Sequence, residues 1–516
     1  MKSIIYVDGK LAQGSSVLSR NYLCTCEPKR QRTAALQDAG ALTNALKFAK
    51  RHGVRLSSAA FGSPPKAIVR HYPGLSSPSR PGRRAACSTT RAAALGFLLS
   101  LALICRAQEL NVRVDHADAQ YRAGQTATFS VSLAGTNVAG VSNAAFVIKR
   151  GGHTEIARGT VTLPSGTFQA SLDEPGTLLA EVKAKVAEKE IRGLAGAAFS
   201  PEGIKRSAPR PDDFDEFWAA KVKELNATPI NPVLEPGPSV KPEVDYFKIT
   251  MDGFRGTKIH GQLVRPKREG KLPALLIVQW AGVYALDKWW ATGPALEGFL
   301  VLNISAHDLP IDEPPDFYKA QSDGPLKNYT AIGKDDREKN YFLRMYLSAY
   351  RAADYLSQRP DWDGNNLVVC GTSQGGLQTI MMAGLHPKVT AAMANVPAGC
   401  DQSGILVGNA CGWPALAMWL RGEEHKRVLE VSPYFDCMNF APKIKCPLLV
   451  SIGMIDETCP PAGIFSTVNQ TKGPREIVVL PLSDHQGKNN AQKPMMDRMA
   501  AWRQAILKGQ PVPPPQ

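Results

Sequence analysis

The stretch that most restricts what this chain can become is Leu367-Val368-Val369-Cys370-Gly371-Thr372-Ser373-Gln374-Gly375-Gly376, followed by Leu377-Gln378-Thr379-Ile380-Met381-Met382. It reads as a short buried strand, a glycine-framed turn and an apolar helix, with G-x-S-x-G in the turn. A serine thrust to the tip of a sharp strand-to-helix turn sits in strained backbone, so its neighbours two before and two after must lack bulk. Gly371 and Gly375 meet that need. The helix behind Ser373 points unpaired N–H groups at any oxygen on which negative charge develops, and Gln374 offers the first of them. The stretch thus specifies a local fold and a chemistry together: a nucleophile elbow with Ser373 at its tip.

Composition bears on partners. Hydrophobic residues make up 44% and charged residues 21% of the 516, ordinary values for a globular protein with a large core. The formal net charge of +15 suggests nucleic acid until the charge is located. Of 61 Lys and Arg and 46 Asp and Glu, 17 and 3 fall in residues 1–107, and the rest of the chain is close to neutral. The basicity belongs to the leading segment and to no binding face, so nucleic acid is excluded as a partner.

That segment ends in Arg83, Arg84 and Arg91, an apolar run from Ala92 to Cys105, and Arg106-Ala107-Gln108. A basic stretch, a short apolar run and a small residue resemble a secretory signal at 83–107, cut after Ala107. The run is too short and wrongly flanked for a membrane span. The expected compartment is therefore periplasmic or extracellular, with no membrane attachment after cleavage. Residues 1–82 are rich in Arg, Ser and Pro without sustained periodicity and read as a disordered leader or a mis-assigned start. Six cysteines follow the cut. In an oxidising compartment Cys400 with Cys411, and Cys437 with Cys446, could each close a short loop, although sequence does not fix the pairing. No C-x-x-C pair or clustered His and Cys points to a metal.

From 108 to 200 apolar residues alternate with polar ones in short runs, as in Thr126-Ala127-Thr128-Phe129-Ser130-Val131-Ser132-Leu133, with Ala123-Gly124, Gly151-Gly152 and Pro175-Gly176 between runs. The pattern predicts an immunoglobulin-like β-sandwich. No catalytic constellation appears in it, and a spacer or packing role takes precedence over carbohydrate binding. After a polar linker, Phe214, Phe217, Trp218, Val222 and Leu225 share one helix face. From 212 to 510 strand and helix patterns alternate, the signature of a mostly parallel α/β sheet. Expected strands are Asp245–Ile249, Lys258–Val264, Ala274–Val278, Phe299–Ile304, Leu367–Cys370, Ala391–Val396, Leu448–Ile452 and Glu476–Leu480. Expected helices include Tyr341–Ser357, Leu377–Leu385 and Lys493–Leu507, with Asp308–Arg337 a long polar loop at the mouth of the site.

In the α/β-hydrolase fold that such an elbow implies, chain order runs nucleophile, acid, histidine. Three histidines follow Ser373: His386, His425 and His485. His386 reads as a helix end, and His425 as part of a solvated charged face. His485 stands on a loop after a strand, where a catalytic imidazole belongs. The acid should lie just past Leu448–Ile452, which offers Asp456 first and Glu457 second; Asp484 is set aside. Ser373, Asp456 and His485 are therefore the catalytic candidates. A second oxyanion donor besides Gln374 should come from Gln279-Trp280-Ala281-Gly282-Val283-Tyr284, where Val283 is chosen and Tyr284 is the alternative. Trp280, Tyr284, Trp289 and Trp290 are candidate sugar-stacking residues.

Three motifs now carry a resemblance: Asp213-Phe214-Asp215-Glu216-Phe217-Trp218, Gly371-Thr372-Ser373-Gln374-Gly375-Gly376, and Ser432-Pro433-Tyr434-Phe435-Asp436 leading to Asp456 with Cys459-Pro460-Pro461. Over roughly Asp212 to Leu507 the chain resembles the acetyl xylan esterase/cephalosporin C deacetylase family, carbohydrate esterase family seven. The resemblance implies a serine carboxylester hydrolase acting on acetylated carbohydrate or another small ester. It carries the nucleophile, acid and base onto Ser373, Asp456 and His485 and the oxyanion donors onto the vicinity of Val283 and Gln374. It implies no cofactor, and a homo-oligomer. The chain departs from the family where R-G-Q is replaced at Ser305-Ala306-His307-Asp308, where H-G-Y reads Ala281-Gly282-Val283, and where Gln486 follows His485. Other readings are an esterase for glucuronoyl or feruloyl esters, a peptidase on the same fold, or a non-catalytic carbohydrate-binding protein.

Overall fold

Period-two apolar patterning makes residues 109–199 strands, and burial follows it residue by residue: along Thr126–Ala134 every second side chain is buried. The computed structural model describes residues 5–7, 10–12, 108–136 and 138–515. The signal read at 83–107 and nearly all of the leader lie outside the described residues. β1 (Ile5–Val7) and β2 (Lys10–Ala12) form a hairpin beside β8 (Ser165–Ser171), which continues to β5 (Thr126–Ala134) and β3 (Glu109–Val114). A second sheet runs β4 (Gln120–Tyr121), β10 (Lys189–Phe199), β9 (Gly176–Val186), β6 (Asn143–Arg150) and β7 (Thr154–Thr162). The two sheets share one core, in which Phe168 stacks on Phe129 at 5.1 Å and on Phe146 of the other sheet at 4.1 Å.

The larger sheet has nine strands: β11 (Val233–Pro236), β12 (Val244–Asp252), β13 (Lys258–Pro266), β14 (Leu272–Val278), β15 (Leu300–Ile304), β16 (Trp362–Thr372), β17 (Ala391–Asn395), β18 (Leu448–Gly453) and β19 (Arg475–Leu480). Their spatial order is β11-β12-β13-β15-β14-β16-β17-β18-β19. From β15 across to β19 every pairing is parallel, and β11, β12, β13 and β15 pair antiparallel. Central parallel strands are covered on both faces, which is why they read as unbroken apolar runs. On β14, Leu272, Ala274, Leu276 and Val278 enter one core, and Leu275 and Ile277 enter the other. Helices of two turns or more are α1 (Phe214–Asn226), α2 (Lys288–Glu297), α3 (Pro315–Asp323), α4 (Tyr341–Leu356), α5 (Gln374–Leu385), α6 (Gly422–Val431), α7 (Pro461–Val468) and α8 (Lys493–Leu507). Among the described residues no helix is long and apolar enough to cross a membrane.

Two expectations need correction. Asp308–Arg337 is not loop throughout, because Pro315 opens α3 and Tyr318 pins its start by donating to Pro310 O at 2.7 Å. The two short disulfide loops are not closed either: the six cysteines from Cys370 to Cys459 are all free. Cys437 Sγ turns toward the carbonyls of Ala398 and Leu377, and Cys400 Sγ toward the same Ala398 carbonyl.

The two-sheet module touches the α/β body beside β18. Gly196 on β10 faces the Met454 carbonyl, and a Cβ there would stand 2.1 Å from that oxygen. Arg192, two turns of the pleat earlier, makes a bidentate pair with Glu457, both contacts at 2.7 Å. Gly196→Val must push the strand off the loop that follows β18, and overpacking of this kind costs about 1–3 kcal/mol. The melting temperature of the full chain should fall accordingly. An unchanged transition would mean that this contact contributes nothing.

Candidate active site

In an open α/β sheet ligands gather where strand order reverses, at the carboxyl ends of the strands on either side. Here β14 has β15 on one side and β16 on the other, so the chain leaving β14 and the chain leaving β16 border one crevice. β14 ends at Val278 and is followed by Gln279 and Trp280; β16 ends at Thr372 and is followed by Ser373.

Ser373 has φ 57° and ψ −118°, a conformation that costs a non-glycine residue about 1–3 kcal/mol. The surroundings fix it: its N–H donates to Asn395 O at 2.9 Å, and its carbonyl accepts from Leu377 and Ala398 N–H, both at 3.0 Å. The framing glycines are required by contact. A Cβ on Gly371 would meet the Gly375 backbone at 2.5–2.7 Å, and one on Gly375 would meet Val278 O at 2.3 Å. Because α5 begins at Gln374, its first N–H groups have no partner within the helix and face the end of the strand.

The structure brings the three catalytic candidates together. His485 Nε2 lies 2.9 Å from Ser373 Oγ, and His485 Nδ1 lies 2.7 Å from Asp456 Oδ2. Asp456 is fully buried, and its Oδ1 accepts N–H groups of Thr458 and Cys459, both at 2.8 Å. Both oxygens of this carboxylate are engaged, and the contact through Oδ2 orients the imidazole. Gln492 Nε2 donates to His485 O at 3.1 Å while Asn395 Nδ2 donates to Gln492 Oε1 at 2.9 Å, which ties the histidine loop to the end of β17. Glu457, the alternative acid, turns away to Arg192. Asp484 caps the turn that follows, accepting from Gln486 and Lys488 N–H. His386 closes α5 and meets Asp354 at 3.3 Å, and His425 holds Ala417 O at 2.9 Å.

The segment after β14 is bound to the elbow by side chains that no local sequence pattern marks. Gln378 Nε2 donates to Gln279 O at 3.1 Å, and Gln374 Nε2 donates to Gln279 O at 3.3 Å and Trp280 O at 3.4 Å. Tyr329 donates to Gln374 Oε1 at 2.6 Å. Gly282 adopts φ +130°, open only to glycine at low cost. Its carbonyl lies 2.9 Å from His307 Nε2, and His307 Nδ1 lies 2.6 Å from Tyr341 Oη. Burial pushes the His307 imidazole down to about 4, with the Arg344 cation adding to the effect. Val283 and Tyr284 come next in the chain, and the Tyr284 hydroxyl donates to Trp280 O at 2.8 Å. Burial drives that phenol far above its ordinary value.

Of the aromatic candidates, Trp280, Tyr284 and Trp290 pack as one group, with centroids 5.4 Å apart for Trp280 and Tyr284 and 4.7 Å for Trp280 and Trp290. Trp280 keeps 40% of its surface exposed. Trp289 instead lies under the Lys241 ammonium, 5.9 Å from its ring centroid. Asp456, Cys459 and His485 each bring one ligand atom within 4.8 Å of the others, a donor set that suits a borderline cation such as zinc. The Cys459 thiol, however, is held far above its ordinary value by burial and by the Asp456 charge. Asp456 and His485 are moreover bonded to each other, an arrangement that can move a proton.

Comparison with known proteins gives the family. The family model described as acetyl xylan esterase (AXE1) matches residues 203–505. Acetyl esterase Axe7A of Xylanibacter ruminicola is 31% identical over 378 residues, covering 72% of this chain and 85% of its own length. The acetyl xylan esterase from Paenibacillus sp. R4 superposes with a TM-score of 0.51 at 24% identity, over 58% of this chain and 98% of that one. Acetyl xylan esterase 1 from Thermoanaerobacterium gives 0.50 at 22% identity, over 58% and 97%. These two likenesses concern the α/β-hydrolase fold. The chain belongs to the acetyl xylan esterase family and is a carboxylic ester hydrolase.

Proposed function

We propose that this protein is an exported serine esterase that removes acetyl groups from acetylated saccharides. What carries the reading is the unbroken line from Ser373 Oγ through His485 to Asp456, at 2.9 and 2.7 Å. As Oγ attacks the ester carbonyl, His485 Nε2 takes its proton, and Asp456 keeps Nδ1 protonated and stabilises the imidazolium. The N–H groups of Gln374 and Val283 hold the oxyanion. His485 then returns the proton to the departing sugar hydroxyl, leaving acetyl on Ser373. A water deprotonated by His485 cleaves that acyl-enzyme. The protein groups supply every proton transfer, so the step calls for no cofactor.

The acetyl group is favoured by kinship with proteins named acetyl esterases. For the sugar, the Trp280, Tyr284 and Trp290 group offers an apolar face, with Trp289 as an outer contact. Export rests on the signal at 83–107 and gives a periplasmic or secreted enzyme, with 108–200 an immunoglobulin-like module and 212–510 the catalytic domain. Self-association into a homo-oligomer is part of the same reading.

An acyl-length and sugar panel on the protein truncated to Gln108–Gln516 tests the substrate. Each methylene that a pocket is not shaped for is worth about 1–3 kcal/mol, so kcat/KM for an aryl acetate should exceed that for the butyrate by ~10-fold or more. Acetylated xylo-oligosaccharides should be deacetylated. Equal or faster turnover of butyrate, feruloyl or glucuronoyl esters would refute the acetyl assignment.

A further inference from the structure

A peptide unit is planar, and in its trans form the C=O and N–H point in opposite directions. Anything that holds the carbonyl of Gly282 therefore also fixes the direction of the N–H of Val283, because the two belong to one plane. Among the described residues the cis peptides are at Pro164 and Pro414, so this unit is trans. The side chain that holds Gly282 O is His307, buried and 3% exposed, on the chain that leaves β15.

The contacts around His307 have one consistent direction. A carbonyl only accepts, so Nε2 carries the proton and donates to Gly282 O. Nδ1 then accepts, and the hydroxyl 2.6 Å away, that of Tyr341, donates to it. Arg344 Nη2, which has no acceptor role, donates in turn to Tyr341 Oη at 2.8 Å, and to Ala306 O at 3.0 Å. Donation therefore runs from Arg344 to Tyr341 to His307 to Gly282, and each member leaves the next only one way to face. Tyr329 packs edge-on against the same imidazole at 4.8 Å and donates to Gln374, the residue proposed to supply the other oxyanion N–H. Gly282 itself has φ +130° and no side chain, so without this hold its peptide could rotate.

We infer that His307 is a positioning residue of the oxyanion hole, which through the Gly282 carbonyl sets the Gly282–Val283 peptide so that Val283 N–H faces the ester oxygen. The inference rests on the reading of Ser373 as nucleophile and Val283 as donor. It explains why a charged or mobile side chain does not occupy this buried place. A neutral imidazole is the shape that can donate at one edge and accept at the other, and burial, by lowering the pKa to about 4, favours that neutral form near pH 7.

The test compares His307→Leu, His307→Gln and Tyr341→Phe with the unaltered full chain on 4-nitrophenyl acetate, with thermal melting recorded for each, and Ser373→Ala beside them. Loss of one oxyanion donor costs about 10²–10³ in kcat. His307→Leu should lose about 10² in kcat with KM within about threefold, because the oxyanion forms only in the transition state. His307→Gln, whose amide can donate where Nε2 does, should recover kcat to within about tenfold of the unaltered protein. Tyr341→Phe, which removes only the hydroxyl, should lower kcat by about 5–10-fold with KM unchanged. If the Leu variant does not fold, the Gln and Phe variants decide. Full kcat in Tyr341→Phe and His307→Leu, or a loss in which KM changes as much as kcat and Gln restores nothing, overturns the inference. If those results accompany an inactive Ser373→Ala, only the role of His307 fails; if Ser373→Ala is active, the functional reading falls with it.

Discussion

Ser373→Ala should lower kcat/KM on an aryl acetate by ~10⁴ or more, about 5.4 kcal/mol of transition-state stabilisation. The oxygen removed is the one proposed to form the acyl-enzyme, and no other hydroxyl takes its place opposite His485 Nε2 in the contacts of that imidazole. What survives should be the slow reaction that the oxyanion donors and bound substrate sustain with water. Folding should be unaffected. The strained φ of 57° at this position is held by backbone hydrogen bonds to Asn395, Leu377 and Ala398, all of which alanine retains. A melting temperature equal to that of the unaltered protein, with activity lost, is the expected pair of results.

Asp456→Asn should cost ~10⁴ in kcat although it changes the shape of the side chain hardly at all. Oδ1 faces two N–H donors, those of Thr458 and Cys459 at 2.8 Å, so an amide at this position must keep its oxygen there. The NH₂ then occupies the place of Oδ2, 2.7 Å from His485 Nδ1. Two donors would confront each other. The imidazole relieves the conflict by moving its proton to Nε2, and in that tautomer it cannot accept the proton of Ser373. The variant should bind substrate with unchanged KM while kcat collapses, and a variant that keeps half of its kcat would show that Asp456 does not set the tautomer.

Much of this was legible in the chain itself, for physical reasons. The eight strands expected between Asp245 and Leu480 all occur; the central ones read clearly because parallel strands covered on both faces are apolar throughout, as in Leu448–Gly453. Ser373 stood out since an elbow tolerates only glycine at 371 and 375, and both positions touch backbone. The order along the chain then left Asp456 and His485, and the structure sets them within hydrogen-bond reach. Other elements gave no signal. α2 carries Pro294 inside it and two exposed or half-exposed tryptophans at its start, which obscure any apolar stripe. α3 lies in a polar stretch with Tyr318 its one buried side chain. His307, Tyr329 and Tyr341 come from three separate segments, and only folding shows that they converge on Gly282 and Gln374. The disulfide expectation failed because loop length says nothing of where a thiol points. Cys437 looks into the core beside α5 instead of toward Cys446.

The central claim is that Ser373 is a nucleophile activated by His485 and oriented through Asp456. Treating the protein with a fluorophosphonate and mapping the modified peptide by mass spectrometry tests it most directly. A single adduct on Ser373, absent in Ser373→Ala and formed far more slowly in His485→Ala, is the result this account predicts. No adduct under conditions in which the ester is hydrolysed, or an adduct on any other residue, would contradict it.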